Sequence, residues 1–541
     1  MAALVGMCWA SLTAASLPPV SLWWLGLAAP FPIALIACQT TRPLAAGAGV
    51  ALGTLPLWVY HHAWIAEVSV AGMVPLIGYL ALWKAAVVFA IARVQRAFRF
   101  FGAAATVPTA WIGLEYVRGE IAFEGYPWFF AGHAMIESVA VASVASIGGV
   151  YLVSWLIVAI SGVVLARRFG SAAHRRIALA VSVGVVGLVV ASLPNRSTVP
   201  AERQVRIAAL QTNVPQSNKA FPSRAQLVED FRVLVDLAER AAASGAELLV
   251  TPETVLPTGL LDPAARAVID EPFGAAMLEE QARIDVPMLV GCTTLEGVRF
   301  EGDRAVWEET FNSVYLLQDG EVSGPRYDKL RPTPFGETLP YIQSLPWLRD
   351  AVLTIGLGAS GMEFGLARGE TPTSFRIPIG PSRLTVTTPI CFESSMAPTV
   401  RRLTNAARAS GSPTDVFVVM TNDGWFGAFD AGRRMHLLQA RWRCVEHRLP
   451  TVRSANTGIS AVIDRYGRVV SSLDAQTPGV LLGDIEMAQT KTLYQTVGDR
   501  FGAGCAVVTL IGLVLSFVRR TSTMNRTAAK PSTLRDQGAS E

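Results

Sequence analysis

Three reactive side chains of this 541-residue chain each follow a short apolar run typical of a buried β-strand. Glu253 lies in LLVTPE, Lys329 in YDKLRP and Cys391 in TPICFE. Catalytic groups of α/β folds collect where strands end at one edge of a sheet. A thiol becomes a nucleophile when a base takes its proton, which Glu253 could do. Lys329 and the backbone N–H of Phe392 could then stabilise an oxyanion.

Each of these residues also has a purely structural interpretation. A free cysteine on a strand is more often a buried core residue than a nucleophile. A glutamate after a proline commonly caps or ends a loop, and a lysine in YDKL is commonly solvated. The distances between the three residues along the sequence do not show that they meet in space. Residue chemistry alone therefore leaves cysteine catalysis and structural roles both open.

The elements that must position these side chains lie in residues 201–500, where strand-like and helix-like stretches alternate. This alternation predicts an α/β domain. The helix-like stretches are 225–243 and a segment around 437–442. The predicted strands are Val205–Leu210, Leu248–Thr251, Met288–Gly291, Ser313–Leu317, Leu384–Cys391, Val416–Thr421, Thr451–Ala455 and Ile459–Ile463. The glycines around 356–358 lack the strand-to-helix context of a dinucleotide-binding loop.

The rest of the chain has the composition of a membrane protein. Only 16% of all residues are charged, against about 25% in soluble domains, and residues 1–200 are almost free of acids and lysines. We predict a membrane domain of about seven transmembrane helices over 1–200, a catalytic domain over 201–500, a final transmembrane helix over 501–520 and a cytoplasmic polar tail over 521–541. The predicted spans are 2–17, 21–38, 44–60, 70–92, 101–117, 135–166, 176–193 and 502–518. The first span lacks a basic n-region, which favours a retained helix over a signal peptide.

Basic residues predict how the chain is oriented in the membrane. If the spans alternate, one side carries nearly all the arginines that flank them: Arg42, Arg93, Arg96, Arg99, Arg167, Arg168, Arg175, Arg176, Arg519 and Arg520. That side is expected to be cytoplasmic, which places residues 201–500 on the extracytoplasmic or periplasmic face of a bacterial inner membrane. Lys84 lies inside the fourth span, and we interpret it as a side chain that reaches along the helix towards the membrane surface.

Several classes of function are disfavoured by composition. The formal net charge is +4, and no dense lysine and arginine stripe is present, so no nucleic-acid partner is expected. The cysteines Cys8, Cys38, Cys292, Cys391, Cys444 and Cys505 form no CxxC pair and have no histidine at ligand spacing. This pattern predicts neither a disulfide scaffold nor a metal site. We expect a monomer.

Three motifs resemble the catalytic signatures of the nitrilase (carbon–nitrogen hydrolase) superfamily. They are TPETVLP, YDKLRPTPFGE and PICFES, in this order. The resemblance implies that residues 201–500 form an α/β, nitrilase-like α-β-β-α sandwich, which is joined to the multi-span α-helical membrane domain predicted from composition. It also implies that Glu253 is the general base, Lys329 stabilises the tetrahedral intermediate and Cys391 is the nucleophile. Glu337, in the PFGE element, is implied as a supporting carboxylate.

The membrane half narrows the resemblance to the apolipoprotein N-acyltransferase family. EGYPW at 124–128 is similar to that family's GFPW element, and QTNVPQ at 211–216 is similar to its QxNxPQ strand. The block TNDGWFG at 421–427 matches the wider nitrilase superfamily. The likeness covers nearly the whole chain except the tail. It implies a thioester on Cys391, a membrane phospholipid as acyl donor, a diacylglyceryl-modified apolipoprotein as acceptor, and no cofactor. Glu393 and Glu337 are expected to hold Lys329 and Glu253 in place.

Expected substrate contacts are Phe221, Trp347 and Trp425. Phe221 stands where the family commonly has tryptophan, Phe392 replaces a common tyrosine, and Gly424 replaces an alanine. Trp347 lies in the segment 340–358, which we predict to be a mobile lipid gate because it is apolar yet rich in proline and glycine. The competing interpretation is that this segment packs on the domain core.

Two other functions fit the same residues. One is a membrane-tethered amidase or nitrilase that hydrolyses a small C–N substrate. The other is a transporter or scaffold whose hydrolase-like domain is inactive. The intact set of glutamate, lysine and cysteine argues against the second, and the need of lipid substrates for membrane access argues against the first.

Overall fold

The computed structural model describes residues 1–193, 204–216, 223–256, 261–268, 272–302, 304–342, 344–352, 365–487 and 490–528. Residues up to 193 and the final helix form a helical bundle, and the region between them forms an α/β sandwich. Phe221 and Leu353 lie outside the described residues.

The helical bundle contains helices of very different lengths. Its α-helices are α1 (Ala2–Ser16), α2 (Pro30–Gln39), α3 (Pro43–His62), α4 (Ile65–Val68), α5 (Val70–Ala97), α6 (Gly102–Tyr116), α7 (Val139–Ala142), α8 (Ala145–Phe169) and α9 (Ala172–Ser192), and the last helix of the chain, Arg500–Ala528, packs on α5 and α6. Within the described residues, five segments are long and apolar enough to cross a membrane: Pro43–His62, Gly72–Ala97, Ala145–Phe169, Ala172–Ser192 and Arg500–Val518.

Three of the eight predicted spans therefore correspond to shorter elements. The span predicted at 2–17 is the 15-residue helix α1, and the span at 21–38 is divided between a 3₁₀ turn, Trp23–Leu27, and α2. The span at 101–117 is α6, which is 15 residues long and continues into a π-helical turn. Hydropathy counts apolar residues without seeing where the backbone breaks, so these three segments were predicted as continuous helices; the number of helices that cross the membrane stays a prediction.

Glycines allow α1 and α3 to pack with their backbones almost in contact. A Cβ atom at Gly53 would lie 2.0 Å from the carbonyl oxygen of Ala3, and one at Gly6 would lie 2.3 Å from that of Val50. Small residues at helix crossings are typical of membrane bundles, where close backbone approach supplies the packing. The short first helix is thus an integral part of the bundle.

The interpretation of Lys84 as a residue that reaches the membrane surface is wrong. Its side chain is buried inside the bundle, and its ammonium group lies 4.4 Å from the ring centroid of Trp9 and 4.9 Å from that of Trp111. Glu115 lines the same small cavity of about 20 Å³. The aromatic faces and a nearby carboxylate stabilise the charge where it is.

One end of the bundle gathers the loops that carry the arginines. The guanidinium of Arg96 donates to the carbonyl of Thr40 at 3.0 Å, and His174 lies 2.9 Å from the carbonyl of Arg99. The Arg93 guanidinium lies 5.0 Å from the ring centroid of Phe517 in the last helix. These contacts place the ends of four predicted spans on one side of the bundle, namely 21–38, 70–92, 176–193 and 502–518.

The opposite end of the bundle carries the sandwich. Trp64, after α3, packs edge-on against Phe426 with ring centroids 4.8 Å apart. Glu137 forms an ion pair of 2.5 Å with Arg441. The sandwich and the arginine-rich loops therefore lie at opposite ends of the helices.

The α/β part contains two large sheets. Their strands are β1 (Gln204–Gln211), β2 (Leu248–Val250), β3 (Met288–Glu296), β6 (Glu309–Gln318), β7 (Glu321–Val322), β8 (Tyr327–Asp328), β9 (Phe375–Ile379), β10 (Ser382–Thr387), β11 (Val416–Thr421), β12 (Thr451–Ala455), β13 (Ala461–Ile463), β14 (Val469–Ser472) and β15 (Gly479–Glu486); a separate hairpin pairs β4 (Arg299–Glu301) with β5 (Arg304–Val306). The first sheet has the order β15-β1-β2-β3-β6-β7, with β8 also paired to β6, and the second has the order β14-β13-β12-β11-β10-β9.

The sheets pack face to face and helices cover their outer faces. Ile207, Val250 and Val314 of the first sheet share one core with Val418 and other residues of the second. The first sheet is covered by the helices Arg224–Ala243 and Pro272–Ile284, and the second by Ala397–Ala409 and Asp430–His447. This is the expected α-β-β-α sandwich, in which strands buried on both faces read as continuous apolar runs.

Candidate active site

The ends of three strands bring the predicted catalytic residues to one edge of the sandwich. Glu253 follows the end of β2 by three residues, and Lys329 comes directly after β8. Cys391 follows Ile390, which forms an isolated bridge with Met420 on β11. Cys391 also begins a 3₁₀ turn that ends at Ser395. The first sheet thus positions Glu253 and Lys329, and the second positions Cys391.

Lys329 forms a buried ion-pair cluster with two carboxylates. Its ammonium lies 2.8 Å from Glu337 Oε1 and 3.2 Å from Glu253 Oε1, and its side chain is 1% exposed. Burial opposes the charge of Lys329, but Glu253 and Glu337 outweigh burial and raise its pKa well above the usual value. Lys329 is therefore a fixed positive charge beside the thiol.

Glu253 is held in one orientation by donors from three elements. Besides Lys329, the side-chain amide of Asn312 donates to Oε1 at 2.7 Å and the backbone N–H of Asn422 donates to Oε2 at 2.8 Å. Asn312 also reaches Glu337 at 3.4 Å. Sequence reasoning missed Asn312, although a polar residue inside the apolar run of β6 was a usable signal.

Cys391 lies at a strained turn and is partly exposed. Its φ angle is 51°, in the left-handed region that a residue with a Cβ rarely adopts. Burial, and after it the charge of Glu253, raises the pKa of the thiol well above its ordinary value, while Lys329 and a hydrogen bond with Thr421 act in the opposite direction. A thiol in this setting needs a neighbouring base to become a nucleophile.

Glu393 lies beside the cluster, but its hydrogen bonds differ from those expected. Its carboxylate accepts from Tyr327 Oη at 2.8 Å and from the backbone N–H groups of Ile390 at 2.8 Å and Arg331 at 3.0 Å. Its hydrogen bonds therefore join the Lys329 loop to the Cys391 turn through the backbone, instead of holding the Lys329 or Glu253 side chain. Glu337 does hold Lys329, as expected. Burial raises the pKa of Glu393 to about 7.

The other predicted site residues are placed as follows. Phe392 is buried and is the second residue of the Cys391 turn. The first backbone hydrogen bond of this turn runs from the Glu393 N–H to the Ile390 carbonyl, and the Phe392 N–H lies one residue before that donor. Trp425 is half-buried, three residues after the N–H that binds Glu253. Trp347 is 70% exposed on the short helix Pro346–Val352.

The bundle contributes directly to the surroundings of the thiol. The indole N–H of Trp128, in the predicted EGYPW element, donates to the Ser395 hydroxyl at 3.0 Å. Tyr126 of the same element stacks on Trp128 and accepts from or donates to His62 at 2.7 Å. Trp128 is 5% exposed, so the loop 124–128 packs between the Cys391 turn and the helices.

Two protein families match separate parts of the chain. Residues 9–163 match the family described as the apolipoprotein N-acyltransferase N-terminal domain. Residues 206–495 match the carbon–nitrogen hydrolase family. The second match begins within β1, the first strand of the sandwich, and the first match lies entirely within the helical bundle.

Full-length relatives extend over both parts. The chain is 31% identical over 469 residues to the apolipoprotein N-acyltransferase of Geobacter metallireducens, covering 85% of this chain and 82% of the relative. It is 32% identical over 480 residues to the protein of the same name from Bradyrhizobium diazoefficiens, covering 85% and 80%. The protein of that name from Vibrio vulnificus is 25% identical over 92% of this chain and 93% of its own length.

Proposed function

Because the chain belongs to the apolipoprotein N-acyltransferase family, we propose that it moves a fatty acyl group from a membrane phospholipid to the N-terminal amine of a diacylglyceryl-cysteine lipoprotein. The reaction proceeds in two halves, through an acyl thioester on Cys391. The single observation that supports this most directly is the buried cluster of Lys329 with Glu253 and Glu337 beside the Cys391 turn.

In the first half-reaction, Glu253 takes the proton of the Cys391 thiol and the sulfur attacks the ester carbonyl of the phospholipid. The C–S bond forms, and the ester C–O bond breaks. The proton held by Glu253 then goes to the departing lysophospholipid oxygen. Lys329 and the Phe392 N–H stabilise the tetrahedral oxyanion, which is the role of fixed donors in acyl transfer.

In the second half-reaction, the neutral α-amino group of the lipoprotein attacks the thioester carbonyl. The N–C bond forms while the amine proton passes to Glu253, and the C–S bond breaks to give the amide. The Cys391 thiolate then regains a proton from Glu253. One carboxylate can serve both halves because Asn312 and the Asn422 N–H hold it in one place.

Access for a two-chain lipid is supported by apolar side chains that extend from the site along the bundle. Tyr341 is 60% exposed and packs edge-on against Phe123 at the end of the helices, with ring centroids 5.6 Å apart. Trp347 follows on its short helix, which the sequence analysis did not predict. The exposure of Trp347 argues against packing on the domain core, and exposed apolar residues in a membrane-facing position mark contact with lipid. Within the predicted gate, residues 340–342 and 344–352 are described, whereas 343 and 353–358 are not.

We also propose that the sandwich lies on the extracytoplasmic face of the inner membrane. The arginine-bearing loops meet at one end of the bundle through the contacts of Arg96, Arg99 and Arg93, and the sandwich lies at the other end. Positive residues are retained on the cytoplasmic side. The catalytic residues then face the side on which lipoproteins would be presented.

The decisive experiment is mass spectrometry of the purified enzyme after incubation with phospholipid. An acyl adduct is expected on Cys391 and is expected to disappear when a diacylglyceryl-cysteine peptide is added. Cys391→Ala and Cys391→Ser should form no adduct, whereas Cys292→Ala and Cys444→Ala are matched controls, because both thiols are buried in hydrophobic cores other than the one against which Cys391 packs.

Two outcomes would contradict the proposal. An adduct that persists in Cys391→Ala would remove this residue as the nucleophile. Release of free fatty acid in the presence of the peptide, without acylated peptide, would instead support a hydrolase of the amidase or nitrilase type.

A further inference from the structure

His436 contacts the backbone of the nucleophile without belonging to the triad. It lies on the helix Asp430–His447 and is 3% exposed. Its Nε2 atom lies 3.1 Å from the carbonyl oxygen of Cys391 and 3.3 Å from Ser394 Oγ. Since a carbonyl only accepts hydrogen bonds, Nε2 carries the proton in this contact.

A buried ion pair fixes the other side of the ring. His436 Nδ1 lies 3.0 Å from Asp423 Oδ1 and 3.1 Å from a guanidinium nitrogen of Arg453, and Arg453 donates to both oxygens of Asp423 at 3.0 and 2.8 Å. Asp423 and Arg453 are each fully buried. Burial favours a neutral Asp423, but Arg453 and His436 outweigh burial and lower its pKa to about 2. The carboxylate is therefore charged and holds the ring in place.

Two aromatic rings enclose His436. Trp128 of the bundle stacks on it at 28° with ring centroids 6.0 Å apart, and Phe426 packs at 5.9 Å. Trp128 also binds Ser395 at the end of the Cys391 turn. The ring cannot tilt away from the Cys391 carbonyl without disturbing these contacts.

The carbonyl that His436 binds shares a rigid peptide unit with the Phe392 N–H. A trans peptide is planar, and its C=O and N–H point in opposite directions. Donors that fix the Cys391 carbonyl therefore also fix the direction of the Phe392 N–H. The Ser394 hydroxyl donates to the same carbonyl at 2.8 Å, so two donors hold this peptide. Holding it is needed because Cys391 has a strained φ of 51°.

We propose that His436 is a positioning residue that orients the Cys391–Phe392 peptide so that the Phe392 N–H faces the oxyanion of the acyl-transfer reaction. This inference rests on the proposed function. It gives the buried Arg453–Asp423–His436 arrangement a role in transition-state stabilisation while leaving proton transfer to Glu253.

The test compares His436→Leu, which cannot donate, with His436→Gln, whose amide can. Acylation of Cys391 by a short-chain, water-soluble ester is followed by mass spectrometry at several ester concentrations. Loss of one donor contact should lower the acylation rate constant of His436→Leu by about tenfold, with KM little changed. His436→Gln should recover most of the rate. Alkylation of Cys391 by iodoacetamide, which forms no oxyanion, should stay within twofold of wild type in both.

His447→Leu is the matched control. His447 is fully buried and lies 11 residues further along the same helix, about three turns on the same face, where its ring packs on Phe417 and Tyr494. Its acylation rate should match that of wild type. If His436→Leu does not fold, Ser394→Ala removes the second donor to the same carbonyl with little change of volume and should show the same selective loss of acylation.

Three results bear against the inference or its premise. Equal acylation by His436→Leu and wild type would overturn it. A parallel fall in acylation and alkylation would also overturn it, because the thiol and not the peptide would then be misplaced. Failure of wild type itself to form acyl-Cys391 would instead refute the proposed function.

Discussion

Replacing Lys329 by methionine removes the positive charge that holds two carboxylates together. At an effective dielectric constant of about 20, charges separated by the observed 2.8 and 3.2 Å attract by about 6 and 5 kcal/mol. Desolvation of the three groups offsets much of this attraction. Breaking a buried ion pair by removing one partner typically lowers the free energy of unfolding by about 3–5 kcal/mol, which is the loss we expect for Lys329→Met.

The loss should depend on pH. Burial lowers the folded pKa of Lys329, but Glu253 and Glu337 outweigh burial and raise it well above its unfolded value. A group whose folded pKa is raised contributes stability at pH values below the unfolded pKa and loses it as the pH rises through the folded pKa. The deficit of Lys329→Met relative to wild type should therefore be fully present at neutral pH and should shrink only when the pH rises above the unfolded lysine pKa of about 10.4.

A double variant separates stability from catalysis. Lys329→Met with Glu337→Gln returns the net charge of the cluster to that of wild type, since one positive and one negative charge are both removed. We expect thermal unfolding in detergent to recover most of the lost stability. Acylation of Cys391 should remain reduced by about 10²–10³, because the oxyanion still lacks a donor.

The assays are the unfolding temperature followed by tryptophan fluorescence and single-turnover acylation followed by mass spectrometry. If the double variant regained acylation together with stability, Lys329 would have only a structural role. If the single variant were as stable as wild type at neutral pH, the paired-carboxylate geometry would be wrong.

Further predictions concern the base, the lipid route and the topology. Glu253→Gln should slow single-turnover acylation by about 10²–10⁴ because no base remains for the thiol, and a loss below about threefold would exclude Glu253 as the base. Trp347→Ser should slow acylation from bilayer phospholipid more than from a soluble ester, with the exposed Trp307→Ser as control; equal slowing with both donors would exclude a lipid gate. A reporter active only outside the cytoplasm should work when fused after Asn195 and fail after Arg520, and the reverse pattern would overturn the orientation.

Much of the sandwich could be predicted because its central strands are continuous apolar runs. The bounds of β11 and β12 match the predicted Val416–Thr421 and Thr451–Ala455. The helix Ala397–Ala409 was missed, since it buries a narrow stripe that includes Val400, Leu403 and Ala407 among arginines and threonines. The spacing of three and four residues was present, but few large apolar residues marked it.

Glu253, Lys329 and Cys391 were predicted together from motifs, whereas the contacts that support them needed the fold. Asn312 interrupts the apolar run of β6, which marks it as a polar residue of a buried strand, whereas His436 lies on a helix with no comparable signal. Their partners, Glu253 and the Cys391 carbonyl, lie 59 and 45 residues away. Only the packing of two sheets and a helix creates these contacts, so no local pattern could identify the partners.

The position of Lys84 has a consequence for how the protein is made. A lysine at the centre of an isolated helix raises the free energy of insertion by about 2.5–3.5 kcal/mol. Trp9, which covers its ammonium group, lies on the first helix and is synthesised 75 residues earlier, whereas Trp111 and Glu115 are synthesised afterwards. We therefore expect the helix that carries Lys84 to insert into the lipid only after α1 has inserted. Its insertion should be complete when the helix Gly102–Tyr116 packs against both. Deleting the first helix should then slow membrane integration itself, before any effect on acyl transfer can arise.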